Sequence, residues 1–397
     1  MRDYETIINT IQNYIDSHSS EITAFSDYLA AHPELSGEEY NTSKLMVEKL
    51  CQNGFDVKYP FCGIPTAYCA KKTHGLNKPV IAIMVEYDAL PVIGHACGHN
   101  LHGTMAMYAG IALGQAISDW CGELRVIGTP AEEADGAKIL MADRGVFDDV
   151  DLAIMFHAFG GESYADYRAL GINGFDFTFT GQTAHSAASP WDGRSAQNGV
   201  LLFMDAMNML RLHMHDHCRL HAIITQVDGA ANIIPDKSIC RVEARAPEKK
   251  MLDDLTEAVF KCAKGAAIAT DTKVVWERFE GRFEPMLPNC AAEKLAEDVM
   301  AKYGVICTHG HNATGSTDVG NVSYKCPAIQ PEFAITSKKL SLHTREFAEA
   351  TTSPEGHEAL LKGTKIMAEI CLRVITDDML RSTIRSEFEA KAIHNNS

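Results

Sequence analysis

Two histidines and a thiol stand within the six residues 95–100, HACGHN, directly after the apolar run PVIAIMVEYDALPVIG. Cys97 and His99 flank Gly98, a spacing that admits a metal site, a cysteine nucleophile beside its base, or a plain structural loop. The hexapeptide alone leaves all three open. Glu132 and Glu133, in TPAEEADG, add two adjacent carboxylates at a predicted strand end. Such pairs are usually solvated turns, but they also permit a division of labour in which one carboxylate holds a cation and the other takes a proton from water. His157 closes the apolar run DLAIMFHAF, and His343 lies far along the chain in SLHTREF. Cys, His, Glu and His side chains supplied by successive strand ends make a mixed N, O and S donor set, which suits zinc and tolerates manganese or cobalt. The densest histidine tract, HMHDHCRLH with His213, His215, His217 and His221, falls where a helix should end. Histidines there complement the negative end of the helix dipole and lack a strand-end pocket.

The elements that must position these residues follow from periodicity. EITAFSDYLAAHPELS and EEYNTSKLMVEKLCQNG place apolar residues at helical steps, the second ending at Gly54. PVIAIMVEY, ELRVIGTP and DLAIMFHAF read as short buried strands, separated by helical LHGTMAMYAGIALGQAIS and GAKILMADRGV. That alternation is expected of an α/β sheet with covered faces, in which ligands lie beyond the carboxyl ends of the strands. From about Gly171 the texture changes, because FDFTFTGQTAH alternates Phe175, Phe177 and Phe179 with polar residues. Predicted elements then run β-α-β-β-α-β, an order resembling the ferredoxin-like motif. After EPMLPN the helix and strand alternation resumes, so a first domain of 1–170 is expected to be completed by 285–397 around an insertion of 171–284.

Composition bounds the function. The chain has 397 residues, 46% hydrophobic and 22% charged, as in soluble folded proteins, and no apolar run reaches the roughly 18 residues of a membrane span. A formal net charge of -16 argues against nucleic acid or an anionic membrane as partner. The N-terminus lacks the pattern of a secretory signal, and the twelve cysteines are scattered singly, so reduced thiols and a cytoplasmic location are expected.

Six stretches, EYDALPVIGHACGHNLHG, TPAEEADGAKILM, FHAF, GQTAHSAASPWDGRSA, NIIPD and STDVGNVSY, resemble in their order the aminoacylase and carboxypeptidase group of dinuclear metallohydrolases, metallopeptidase family 20. More narrowly they are similar to its amidohydrolase branch of auxin-conjugate hydrolases, aminobenzoyl-glutamate hydrolases and dipeptidases. The resemblance implies an α/β catalytic domain with an inserted ferredoxin-like α+β lid and dimerisation domain. It implies that Cys97, His99, Glu133, His157 and His343 hold two divalent metals, zinc or manganese with cobalt compatible, the Cys97 thiolate bridging them. Glu132 would be the general base and His185 a donor to the oxyanion, while Asn232, Arg245, Gly315 and Ser316 would face substrate. Many members carry a histidine ligand where this chain has Glu86, which leaves Asp88 to orient a ligand from behind. The implied activity is cleavage of the amide joining an acyl, aminoacyl or aminobenzoyl group to an amino acid with a free carboxylate, in a homodimer. Two rivals stand beside it: an amidase with Cys97 as nucleophile, and a non-catalytic metal-binding protein on the same fold.

Overall fold

The computed structural model describes residues 4–76, 78–116, 118, 120–310, 313 and 315–395. The chain forms two compact units: Met1–Arg168 with Leu287–Ala313 and Asp318–Ser397, and Ala169–Met286 with Thr314–Thr317.

The first unit is built on a six-stranded sheet whose spatial order is Asp56–Lys58, Tyr68–His74, Gly122–Gly128, Val80–Val85, Leu152–Ile154, Ala328–Ile329. The last four run parallel, and the first two close the other edge antiparallel. Val80–Val85 is buried at every position, which is why its sequence is a continuous apolar run instead of an alternation. The helix His99–Gln115 is buried on all sides from His99 to Gly114. It lies so close to the sheet that a Cβ on Gly103 would come within 2.0 Å of the Glu86 carbonyl oxygen. The helix Pro354–Thr376 packs against it.

DLAIMFHAF is two strands where the sequence reads as one. Leu152–Ile154 belongs to the six-stranded sheet, whereas His157–Gly160 pairs in parallel with Glu332–Thr336 in a separate ladder. Apolar periodicity is blind to this break, since both halves are buried. Its consequence is positional, because His157 opens a new strand.

The second unit has the order strand, helix, two strands, helix, strand. Its antiparallel sheet is arranged Lys273–Arg278, Gly171–Thr180, Lys237–Ala246, Arg219–Val227. The helices Ala196–Leu210 and Lys249–Ala269 share one sheet face, where the Phe177 ring meets Phe203 of one helix and Phe260 of the other. Among the described residues no helix is long and apolar enough to cross a membrane, and all twelve cysteines are unpaired.

Candidate metal centre

Strand Val80–Val85 delivers Glu86 and Asp88 to its carboxyl end, both 1% exposed. Asp88 is held from two sides, its Oδ2 accepting from Ser36 Oγ at 2.7 Å and from the Glu133 backbone N–H at 3.0 Å. Its Oδ1 meets His99 Nδ1 at 2.9 Å. A carboxylate can only accept, so Nδ1 carries a proton in either charge state and Nε2 is the nitrogen left to face a metal. That Nε2 is buried and has no hydrogen-bond partner. Gly98 makes the turn possible: its φ of +83° is left-handed, and a Cβ there would lie 2.7 Å from the Ala158 Cβ.

His157 is oriented by the same logic. Its Nδ1 lies 2.9 Å from the Ala158 carbonyl oxygen and must donate, which leaves Nε2 bare and 3.4 Å from Cys97 Sγ. His343, with a left-handed φ of 60°, is tied back by its own N–H to the Ala96 carbonyl. Its Nε2 approaches Glu133 Oε1 to 3.2 Å without the alignment of a hydrogen bond, and that oxygen has no hydrogen-bond partner. The Glu132 and Glu133 turn is pinned by Glu39, whose Oε1 accepts from the Ala131 N–H at 2.9 Å while Oε2 accepts from Thr66 at 2.9 Å.

Two groups of donors result, Cys97 with Glu133 and His343, and His99 with Glu132 and Glu133, each with its ligand atoms within 4.8 Å of one another. Glu133 is common to both. Two further groupings, Glu86 with His99, His102 and His157, and Glu86 with Glu132 and Asp318, are equally tight, but each includes members already spent. His102 accepts from the Ala158 N–H at Nδ1, at 3.1 Å, and so donates from Nε2 to Glu86, also at 3.1 Å. No lone pair is left for a metal. Glu86, Glu132 and Asp318 surround a cation that is already present: Lys138 Nζ, 0% exposed, is 2.6 Å from both Glu86 Oε1 and Asp318 Oδ1.

The electrostatics of the cluster favour positive charge. Burial pushes the His99 imidazole down, but Asp88, Glu86 and Glu133 together raise it to about 10. The pocket that holds a proton there so firmly would hold a metal ion by the same field. Burial alone would raise Asp88, yet His99 and Ser36 bring it to about 2. His157 is lowered to about 4 by burial, which favours the neutral ring a ligand needs. Burial, then Glu133 and Glu132, push the Cys97 thiol well up.

The structure thus gathers Cys97, His99, Glu132, Glu133, His157 and His343, with Asp88 behind His99. The orphaned Nε2 of His99 and Oε1 of Glu133, and the N, O and S donor types around them, fit a pair of divalent metals. His185, Asn232, Arg245, Gly315 and Ser316 lie in the second unit. There the His185 Nδ1 accepts from the N–H groups of Ala187 and Ala188, and Arg245 reaches Ser316 Oγ at 3.3 Å and Glu243 at 3.2 Å. His95 is buried but belongs to neither open donor group. The tract from His213 to His221 is exposed at its histidines and contributes to no donor group among the described residues. Glu39, His102 and Lys138 are neighbours of the cluster that sequence reasoning passes over, and Glu86 entered it only as the position of an absent histidine ligand. Glu86 and His102 sit inside the opening motif, but only the fold reveals that they face inward.

Candidate metal donors at the strand ends of a mostly parallel α/β unit are the parts that a metal-dependent hydrolase of the metallopeptidase class requires. Residues 82–373 match peptidase family M20/M25/M40, and the chain belongs to that family. It is a hydrolase acting on amide or peptide bonds. The chain is 31% identical to the Xaa-Arg dipeptidase of Mus musculus over 95% of its length and 91% of the relative's. It is 28% identical to one of the p-aminobenzoyl-glutamate hydrolase subunits of Escherichia coli, over 97% and 95%. In fold it resembles an aminobenzoyl-glutamate utilization protein from Klebsiella pneumoniae, with a TM-score of 0.72, 18% identity and coverage of 92% and 99%. It also resembles a dinuclear metal binding peptidase of the M20 family from Bacillus subtilis, with a TM-score of 0.70, 19% identity and coverage of 91% and 99%.

Proposed function

We propose that this hydrolase uses two divalent metals, zinc or manganese, to cleave the amide joining an acyl, aminoacyl or aminobenzoyl group to an amino acid with a free carboxylate. The observation that carries the reading is the convergence of buried donors that approach but do not satisfy one another, His99 Nε2 and Glu133 Oε1 above all. Cys97, Glu133 and His343, with His157 beside the thiol, and His99 with Glu133, would hold the ions. Bound there, they would supply Lewis acidity toward the scissile carbonyl and the attacking water. Glu132 accepts the water proton and returns it to the leaving nitrogen. His185, whose Nδ1 is occupied by two backbone donors, carries its proton on Nε2 and donates to the developing oxyanion. Arg245, braced by Ser316 and Glu243, grips the substrate carboxylate with its planar fork, and Asn232 and Gly315 line the same ligand.

The second unit acts in this reading as lid and dimerisation domain. Its edge strand Arg219–Val227 exposes Ile223, Ile224 and Val227, with one side of the ladder unpaired, and helix Ala196–Leu210 exposes Leu201 and Met209. An apolar sheet edge of this kind is stabilised by a second copy. A Cys97 nucleophile is the second reading, favoured by the 3.4 Å approach of His157 Nε2. The surroundings oppose it, since reactive thiolates sit beside positive charge whereas Cys97 is buried beside Glu133 and Glu132.

Mass-spectrometric screening of metal-loaded protein against N-acyl amino acids, dipeptides and aminobenzoyl-glutamate tests the proposal. Turnover that chelation abolishes and metal restores supports it. Full activity in the metal-free enzyme, lost on alkylation, supports the cysteine rival instead. Metal bound without turnover across the panel supports the non-catalytic one.

A further inference from the structure

Glu332 is paired through its backbone on both sides. It stands in parallel register with His157 and forms an antiparallel bridge with Tyr164, in which each residue donates its N–H to the other's carbonyl at 2.9 Å. Residues in register on neighbouring strands project from the same face of a sheet. The Glu332 side chain therefore shares the face from which the His157 ring reaches Cys97, His99 and His102.

The carboxylate is 3% exposed, its Oε2 is buried without a hydrogen-bond partner, and among the described residues no ion pair reaches it. In this it differs from Glu86, Asp88 and Asp318. Glu86 and Asp318 share Lys138, and Asp88 has Ser36, His99 and the Glu133 N–H. His157 cannot serve Glu332, because Nδ1 is spent on the Ala158 carbonyl and Nε2 faces Cys97. Nor does Glu332 belong to any of the groups placed to hold an ion. A carboxylate withdrawn from water with no partner is costly, and a hydrogen-bonding cation is what offsets that cost. Among the described residues none supplies that cation, so a cationic ligand is the partner this carboxyl group can still accept.

We propose that Glu332 is a substrate-binding residue that selects a cationic nitrogen, an ammonium or guanidinium, on the molecule whose amide is cleaved. This deepens the amide-hydrolase reading above and rests on it for the identity of the reaction. The charge can come from the free α-ammonium of an aminoacyl group or from a cationic side chain, and either is bound by the same charge-assisted hydrogen bond.

Two substrate pairs separate the sources: glycyl-leucine against acetyl-leucine removes the α-ammonium, and glycyl-lysine against glycyl-norleucine removes the side-chain charge. With metal-loaded full-length protein, the cationic member of at least one pair is expected to be preferred about tenfold or more in kcat/KM. In the nearly isosteric Glu332→Gln protein that ratio falls to near one. Calorimetric binding of the same pairs to metal-free protein should show the same preference in the wild type and its loss in the variant. A wild-type ratio near one for both pairs overturns the proposal. So does a ratio that survives in Glu332→Gln, including an equal loss on both members, which would mark Glu332 as structural support for His157. If metal-loaded protein cleaves nothing, the hydrolase reading fails, and the preference in metal-free binding still decides the role of Glu332.

Discussion

Replacing Lys138 by methionine removes the cation from a fully buried charge cluster while keeping a side chain of similar length. Lys138 Nζ lies 2.6 Å from Glu86 Oε1 and 2.6 Å from Asp318 Oδ1, and all three side chains are 0% exposed. With an effective dielectric of about 20, each contact is worth roughly 6 kcal/mol of attraction, against a desolvation cost of several kcal/mol per ion. The intact triad is therefore near balance. The variant is not, because the ammonium leaves and two desolvated carboxylates stay. Loss of one partner from such a buried pair costs about 3–5 kcal/mol. Metal-free protein is the proper sample, since bound metal would offset part of the uncompensated charge. The assay is denaturant unfolding followed by Trp120, which is buried in the first unit, in a background where Trp191 and Trp276 of the second unit are phenylalanine. Adding Asp318→Asn to Lys138→Met should recover part of the loss, because one buried charge then disappears. A Lys138→Met protein within about 1 kcal/mol of its parent would refute the argument that this lysine is the counter-charge of the site.

Glu132→Gln should keep both metals and lose about 10²-fold or more in kcat, while Glu133→Gln should lose metal, as read by elemental analysis beside the rates. Equal metal content in the two variants would reverse these roles. Cys97→Ser should shift preference from zinc toward manganese, and alkylation of wild-type Cys97 should be slower in metal-loaded than in metal-free protein. Equal alkylation rates would exclude the thiolate as a ligand. Far from the centre, burial pushes Glu387 up, but Lys391 and the backbone N–H groups of Cys290 and Ala291 bring it to about 2. A folded pKa below the unfolded one gives stability that is complete above the ordinary carboxyl range and fades as pH falls toward about 2. Glu387→Gln should therefore be less stable than wild type at neutral pH, with the difference in denaturation midpoint closing in acid. A difference independent of pH would show that packing, not charge, is lost.

The candidate site residues were legible where chemistry and local pattern coincide. Cys97 and His99 flank a glycine that only a left-handed turn explains, and Glu132 and Glu133 follow a buried apolar strand, so type and placement could be read together. Their supporting partners were not legible. Glu39 reaches the Ala131 N–H from 92 residues away, and Lys138 meets Asp318 across 180. No spacing rule connects residues that distant. Within HACGHNLHG local spacing does not separate His99, whose Nε2 is open, from His102, whose nitrogens are both spent; only the family resemblance singled out His99 as a ligand.

By itself the sequence determined the alternation of buried strands and helices, the change of texture near Gly171, and a short set of side chains able to bind a cation or move a proton. Those properties are local, since they depend on periodicity and on the chemistry of residues a few positions apart. Only the tertiary structure decided which nitrogen of each histidine is free, that the acidic cluster around Glu86 already holds a lysine, and that His157 begins a second ladder beside Glu332. A lone pair is free or spent according to what the fold brings within about 3 Å of it, and that is fixed by packing between segments the sequence keeps far apart.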